Sequence, residues 1–321
     1  MLVNFLVAAF LAGAPLILAT VGEILTQKSG NINLGVEGTM YIGAVCGLAG
    51  AVSAEKIGFE GTGAAAAAFV CSILAGMATS AVYSFLTVSL HANQNVIGLT
   101  ITILGTGIGN FFGELMGQNA GGYVSASDET DAAFGNLQLG ILSDIPVVGK
   151  LFFHYNWLVY FSFLTAVLCY IFLFKTRRGL KLLAVGENPA AADAAGISVT
   201  RYRYMATIVG GGLCGTAGMY MCMVTNNGVW VHDCISGYGW LAVALVIFSM
   251  WNPMCAILCS IIFGALMIMR FYVSIPGLNS FIYDMCPYIV TSLVIVITSI
   301  GKNKNLGMPE ACGVNYFREE R

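Results

Sequence analysis

Charged residues are scarce in this sequence. Lysine, arginine, aspartate and glutamate make up 9% of its 321 residues, whereas 58% are hydrophobic. A soluble globular domain carries about 25% charged residues. The deficit excludes an ordinary soluble domain and indicates a membrane protein that crosses the bilayer several times. The net charge of -2 also argues against nucleic acid as a partner.

Motifs of several enzyme classes are missing as well. No Gly-x-x-x-x-Gly-Lys-[Ser/Thr] sequence occurs, so the chain does not carry its own P-loop for ATP. His91, His154 and His232 are isolated in the sequence, and a Gly-x-Ser-x-Gly nucleophile elbow is absent. The ten cysteines include no Cys-x-x-Cys pair. We therefore expect no catalytic residue, no metal site and no cofactor bound by this chain.

Long hydrophobic runs predict an all-α, polytopic transmembrane helix bundle with about 8–10 spans, some of them broken or short. The run over 238–270 is interrupted by Trp251-Asn252-Pro253 and is too long for one crossing. Two helices that meet at Asn252-Pro253 fit it better, and the first is short enough to be a half-helix. The predicted spans are near 3–25, 35–53, 63–88, 96–116, 155–174, 204–224, 238–250, 254–270 and 283–300.

Loop charges predict the orientation in the membrane. The 175–203 loop holds six basic and two acidic residues, whereas the 117–154 loop holds four acidic residues and one lysine. We therefore expect 175–203 and the C-terminal tail, 301–321, to be cytoplasmic and 117–154 to be extracytoplasmic. The latter is rich in Gly, Ser and Asp and predicts irregular structure. The N-terminus lies outside if all nine segments cross fully, and inside if one of them is miscounted.

A short helix is predicted inside the cytoplasmic loop. Asn188 suits the N-cap and Pro189 the first turn, a run of alanines follows, and Gly196 suits a left-handed C-cap. The helix is about two turns long, with Asp193 as its one charged residue. Such a bare helix either enters a groove on another protein or is an ordinary capped loop helix.

Polar residues interrupt the apolar pattern between the first two predicted spans. Glycines in GEILTQKSGNINLGVEG permit non-helical backbone there. Charge at membrane depth is costly, and broken helices often line transport cavities. The segment is therefore either a broken helix beside a cavity or a plain cytoplasmic turn with Lys28 at its tip. Its polar residues are Glu23, Gln27, Asn31, Asn33 and Glu37.

Two groups of polar side chains, one in this segment and one before the fourth predicted span, are candidates for a substrate path. Asn33 offers donors and an acceptor, and Glu37 offers acceptors. Glu37 could instead accept hydrogen bonds from the first amides of its own helix. Asn93, Gln94 and Asn95, which open the fourth predicted span, either bind a polar solute or cap that helix.

Three segments resemble a known family. GEILTQKSGNINLGVEGTMYIGA is similar to the N-terminal signature of permease subunits of ABC importers for nucleosides, within the larger group of ribose and branched-chain amino acid permeases. GENPAAADAAGI resembles that family's cytoplasmic loop, and GYGWLAVALVIFSMWNP resembles a third conserved stretch. Gln27 replaces a usual acid, and Ser249 or Met250 stands where glycine is commoner. The matching residues are Gly22, Ser29, Gly30, Asn33, Gly35, Glu37, Gly38, Gly186, Asn188, Ala191, Ala192, Gly196, Ile197, Gly239, Ala242, Ala244, Trp251, Asn252 and Pro253.

The resemblance implies a single permease domain over 1–321, in the cytoplasmic membrane and in contact with lipid. It implies a pore subunit that pairs with a second, related permease or with itself. It further implies cytoplasmic ABC ATPases that hydrolyse ATP and an extracytoplasmic substrate-binding lipoprotein or protein. The helix at 189–195 would then be the ATPase-coupling helix, and the residues expected to form it are Gly186, Asn188, Pro189, Ala191, Ala192, Asp193 and Gly196.

Other functions remain open at this stage. The same machine could move a pentose or another simple sugar, because ribose is common to both kinds of substrate. A secondary transporter driven by protons or sodium would use Glu23, Glu37 or Glu114 as its titrating group. A membrane scaffold without transport would show no dependence on any solute.

Overall fold

The computed structural model describes residues 2–137, 148–272, 280–300 and 307–317. The chain is 77% helical, which confirms the predicted all-α class. Helices are expected because a chain in lipid must satisfy its backbone hydrogen bonds internally. The helices of the described ranges are α1 (Leu2–Lys28), α2 (Val36–Lys56), α3 (Thr62–Ser84), α4 (Gln94–Asn119), α5 (Asp128–Ala133), α6 (Val148–Phe152), α7 (Trp157–Lys175), α8 (Arg177–Glu187), α9 (Pro189–Ala194), α10 (Val199–Tyr220), α11 (Tyr238–Phe248), α12 (Pro253–Tyr272) and α13 (Ser280–Ile300).

Among the described residues, seven helices are long and apolar enough to cross a membrane, so the chain is a multi-pass membrane protein. They are α1, α2, α3, α4, α7, α10 and α12, with π-helical turns extending α3 over Phe85–Ser89 and α10 over Met221–Thr225. The 11 residues of α11 span about 16 Å at about 1.5 Å per residue, half of a hydrocarbon core. The predicted half-helix at 238–250 is therefore confirmed.

The joint between α11 and α12 lies where the sequence predicts it. Met250 and Trp251 adopt positive φ angles of 51° and 54°, which turn the chain sharply. The Asn252 side chain then accepts a hydrogen bond from the Met254 amide at 3.0 Å and caps α12. The Trp251 indole donates to Gln27 Oε1 at 2.6 Å, which fixes this turn to the end of α1.

Helix α10 lies at the centre of the bundle and packs against α1, α2 and α3. Its backbone approaches theirs closely because small residues line the contacts. A Cβ on Gly43 of α2 would lie 2.3 Å from the Gly215 carbonyl oxygen, which leaves no room for a side chain. Glycine at these positions therefore lets α10 pack directly against the backbone of its neighbours.

The two large loops are more helical than the sequence predicts. The 117–154 loop contains α5, whose cap residue Ser127 accepts a hydrogen bond from the Thr130 amide. Glu55 at the end of α2 accepts hydrogen bonds from both of these residues. The irregular structure predicted for this loop is thus wrong at α5 and α6, whereas 138–147 lies outside the described residues. The 175–203 loop holds α8 in addition to the predicted helix, because its apolar residues recur at helical spacing between the basic ones.

Cysteine labelling tests the predicted orientation. Lys181 and Asp128 are both exposed, near opposite ends of the bundle. We expect Lys181→Cys to react with a membrane-impermeant maleimide in inverted vesicles alone, and Asp128→Cys in intact cells alone, in a background without reactive native cysteines. Reaction of both from one side would contradict the charge-based topology.

Candidate functional site

The helix break between α1 and α2 is buried. Ser29, Asn31 and Asn33 are at most 3% exposed although the backbone from Asn31 to Asn33 is not helical. Non-helical backbone inside a membrane protein needs hydrogen-bond partners from other elements. The segment is therefore a buried connection between two membrane-spanning helices rather than an exposed turn, and a cavity beside it stays a prediction.

Side chains from several helices supply those partners. Gln94 Oε1 of α4 accepts from the Ile32 amide at 2.8 Å, and the Tyr83 hydroxyl of α3 donates to the Ile32 carbonyl. Thr102 of α4 donates to the Leu34 carbonyl at 2.8 Å. The break is thus held as a defined shape by α3 and α4.

The acidic residue at the end of α1 takes part in the same network. Glu23 Oε1 accepts from the Asn33 amide at 3.1 Å and from Gln27 Nε2 at 2.9 Å. The Gln27 Oε1 atom accepts a hydrogen bond from the Trp251 indole. A carboxylate at position 27 would place an acceptor against Glu23, whereas the glutamine donates to Glu23 and still accepts from Trp251.

Glu37 binds the N-terminus of α11. Its Oε1 accepts from the Gly237 amide at 2.6 Å, and its Oε2 accepts from Gly239 at 2.7 Å and Trp240 at 3.3 Å. A carboxylate at a helix N-terminus is stabilised by unpaired amides and by the helix dipole. The expected acceptor role is met, but the amides belong to α11, about 200 residues away, rather than to α2.

The other expected path residues also have local partners. Asn33 Oδ1 accepts from the Gly35 amide at 2.9 Å. Asn93 Oδ1 accepts from the amides of Asn95 and Val96 and so caps α4. Gln94 is buried, whereas Asn95 is exposed. The structure therefore gives Asn33, Asn93 and Gln94 positions in which they shape the break and the start of α4.

The predicted helix of the 175–203 loop is present as α9. The Asn188 side chain accepts from the Ala191 amide at 2.9 Å, Pro189 occupies the first turn and Gly196 has a φ of +78°. Gly186 lies against the Lys28 carbonyl at the end of α1.

The bare-helix interpretation treated all sides of α9 as alike, but the structure shows that they differ. Ala192 is 4% exposed and packs with Val185 and Val199. Ala190, Ala191, Ala194 and Ala195 are exposed. One face thus anchors the helix to the bundle, and the other is free for a partner.

The C-terminal segment 307–317, here called the tail strap, crosses the same end of the bundle. Its Ala311 amide donates to the Gly186 carbonyl at 3.1 Å, and its Tyr316 hydroxyl donates to Asp193 Oδ2 at 2.9 Å. These bonds attach it to both ends of the α9 region.

The tail strap also reaches the helix break. The Gly313 amide donates to the Gly30 carbonyl at 3.0 Å, and the buried Arg203 donates to the Val314 carbonyl at 3.0 Å. Asn315 Nδ2 donates to the His91 carbonyl at 2.6 Å. Sequence reasoning treated this segment only as a tail, because none of these bonds leaves a mark in composition.

A second polar cluster lies at the opposite end of the helix bundle. His232 Nδ1 lies 2.6 Å from Glu114 Oε1, so the histidine that is isolated in sequence has a partner. Asp233 Oδ1 accepts from Asn110 Nδ2 at 2.8 Å and from the Tyr41 hydroxyl at 3.1 Å. The hydrogen bond from Asn110 lowers the pKa of Asp233. The hydrogen bond from Tyr41 and the charge of His232 lower it further. Sequence reasoning named Glu114 only as a possible titrating group and missed the cluster.

Comparison with known proteins identifies the family. Residues 5–299 match the permease component of the branched-chain amino acid transport system. The chain belongs to this family. It is therefore an ABC transporter permease subunit, a class whose members are not themselves enzymes.

Individual relatives differ in their named substrates. A nucleoside ABC transporter permease of Lactococcus lactis is 32% identical over 95% of this chain and 94% of its own length. A guanosine ABC transporter permease of Bacillus subtilis is 33% identical over 98% of this chain and 96% of its own. A Haloferax volcanii protein, provisionally named a glucose ABC transporter permease, is 37% identical over 79% of this chain and 73% of its own.

Proposed function

We propose that this chain is the pore subunit of an ATP-driven importer that moves nucleosides across the cytoplasmic membrane. Two relatives named for nucleosides or guanosine align over nearly their whole length, which supports the substrate class. The relative named for glucose supports a simple sugar as the second candidate. The family assignment argues against the ion-coupled alternative, and Glu23 and Glu37 both have hydrogen-bond partners in the structure.

The two-faced helix α9 is the observation that carries the coupling mechanism. Its exposed alanine face has little bulk and so fits a groove on a cytoplasmic ABC ATPase. Its buried face contacts α8 and α10, and Gly186 contacts the end of α1. A push on the exposed face is therefore transmitted to the helix break through direct contacts.

The remaining partners follow from the same proposal. A second, related permease completes the pore, and an extracytoplasmic binding protein or lipoprotein delivers the substrate. The C-terminus is cytoplasmic, since the tail strap lies beside α9. ATP binds to the partner ATPase, and no cofactor binds this chain.

Uptake measurements test the substrate class. Cells that lack only this chain should lose uptake of labelled nucleosides and regain it on complementation, while uptake of glucose and ribose stays unchanged. Loss of sugar uptake with normal nucleoside uptake would replace the proposal by the sugar alternative.

A bulky residue on the exposed face of α9 should uncouple transport. We expect Ala191→Trp to reduce uptake at least about tenfold at normal abundance, because a groove that fits alanine excludes indole. Ala191→Ser is the matched control and should transport normally. Uptake and co-purification of the ATPase are measured together, and normal values for the Trp variant would refute groove docking. Ala192→Trp is unsuitable because Ala192 faces the chain's own core.

A further inference from the structure

Helix α4 carries a row of polar side chains along its length. Its glycines recur at every fourth position from Gly105 to Gly117, and the first two face α2, where a Cβ on Gly105 would lie 2.3 Å from the Gly38 carbonyl oxygen. Beside that glycine face runs a second row with the same spacing, partly or fully exposed. Its members are Thr102, Thr106, Asn110, Glu114 and Gln118.

The row extends from the helix break to the far end of the helix bundle. Thr102 donates to Leu34 in the break, and Glu114 pairs with His232 in the loop before α11. From residue 102 to 118 a helix rises about 24 Å, most of the hydrocarbon thickness. Other exposed residues of α4, such as Ile103, Leu104 and Phe111, are large and apolar, which suits lipid.

Polar side chains in a membrane helix face water, a solute or a partner because their exposure to lipid is costly. Glu114 and Asp233 side chains are each 53% exposed and that of His232 is 60% exposed, although all three are already hydrogen-bonded. The centre of a protein interface is depleted of charged residues. The row therefore suits a solvated path better than a contact with the second permease.

We infer that the polar row of α4, together with His232 and Asp233, forms the solute-contacting wall of the pore and binds the ribose hydroxyls of the nucleoside. This inference rests on the proposed function. Carboxylates accept hydrogen bonds from hydroxyl groups, and a threonine hydroxyl such as that of Thr106 both donates and accepts. Each contact is weak, which an importer requires because the substrate must leave again.

Variants of the row test the inference by comparing two substrates. Glu114→Gln and Thr106→Val should lower uptake of a ribonucleoside by about tenfold and about threefold, the losses typical of single hydrogen bonds. Uptake of the matching 2′,3′-dideoxynucleoside should change less than twofold, since it lacks the hydroxyls that make these bonds. Thr100→Val is the matched control, because Thr100 lies about 120° around the helix from Thr106 and its hydroxyl donates to the Val96 carbonyl of its own helix. It should transport both substrates normally.

Solute protection supplies a second measurement. Thr106→Cys should react with a small charged thiol reagent, and an excess of ribonucleoside should slow the reaction, whereas Thr100→Cys should not be protected. Normal uptake of both substrates by the row variants would overturn the inference alone. Loss of the second permease from the purified complex would also overturn it, by assigning the row to a subunit interface. Absence of nucleoside uptake by the wild-type transporter would overturn the proposed function and this inference with it.

Discussion

Deletion of residues 307–321 should abolish uptake while the chain remains inserted in the membrane. The deletion removes the tail strap, and with it the partner of the Arg203 guanidinium and the Gly30 carbonyl, both buried beside the break. A buried donor left unsatisfied costs about 1–3 kcal/mol, and more when it belongs to a charged group. We expect the break to lose its shape and uptake to fall below about a tenth of the wild-type rate, since about 1.4 kcal/mol already corresponds to tenfold.

Smaller variants separate coupling from folding. Tyr316→Phe removes the hydroxyl that bonds to Asp193 and keeps the ring that packs beside α9. A net hydrogen bond contributes about 0.5–1.5 kcal/mol, so uptake should fall severalfold. ATP hydrolysis by the purified complex should persist, because the strap joins α9 to the break and not to the ATPase. Deletion of 318–321 alone serves as the control and should transport normally. Normal uptake by the 307–321 deletion would refute the role of the strap.

The sequence predicts the features of this fold that depend on neighbouring residues. Asn188, Pro189 and Gly196 define α9 because a cap, a first turn and a left-handed end each need a residue type at a fixed offset. The α11–α12 joint is equally local, since Asn252-Pro253 ends one apolar run and starts another. The segment after Lys28 had two interpretations; burial of Asn31 and Asn33 contradicts the exposed turn, and a cavity beside the segment stays a prediction.

Contacts between distant residues could not be predicted in the same way. His232 and Glu114 are 118 residues apart, and neither has a neighbour in sequence that points to the other. Tyr316 reaches Asp193 from a tail whose composition is unremarkable. The packing of Ala192 was missed for a related reason: all alanines of α9 look alike in sequence, and the bundle decides which of them is buried.

The Gln94 and Asn33 hypotheses show how one residue type serves two purposes. An amide at membrane depth can bind a solute or satisfy the backbone, and both uses need the same donors and acceptors. Non-helical backbone between Asn31 and Asn33 needs such partners from side chains, which a purely helical chain would not. The bonds from Ile32 to Gln94 and from Gly35 to Asn33 meet that demand.

Glu37→Gln should reduce transport of every substrate to the same extent. Glu37 accepts three amides from the N-terminus of α11, and its side chain lies inside the bundle. A glutamine keeps one acceptor oxygen and turns an NH₂ group toward an amide donor, so at least one bond is replaced by a contact between two donors. Hydrogen bonds to a charged group contribute about 1.5–3 kcal/mol each, so the expected loss is at least about tenfold in uptake or a matching loss of folded protein.

The measurement is uptake of several nucleosides, together with protein abundance in the membrane. Glu60→Gln is the matched control, because Glu60 is exposed between α2 and α3 and should tolerate the change. An equal loss for all substrates supports the interpretation that Glu37 holds α11 against the start of α2. A changed preference among nucleosides at normal abundance would contradict it, and would instead place the carboxylate in contact with the substrate. The three amide bonds favour the first outcome, because they occupy both oxygens that a solute would need.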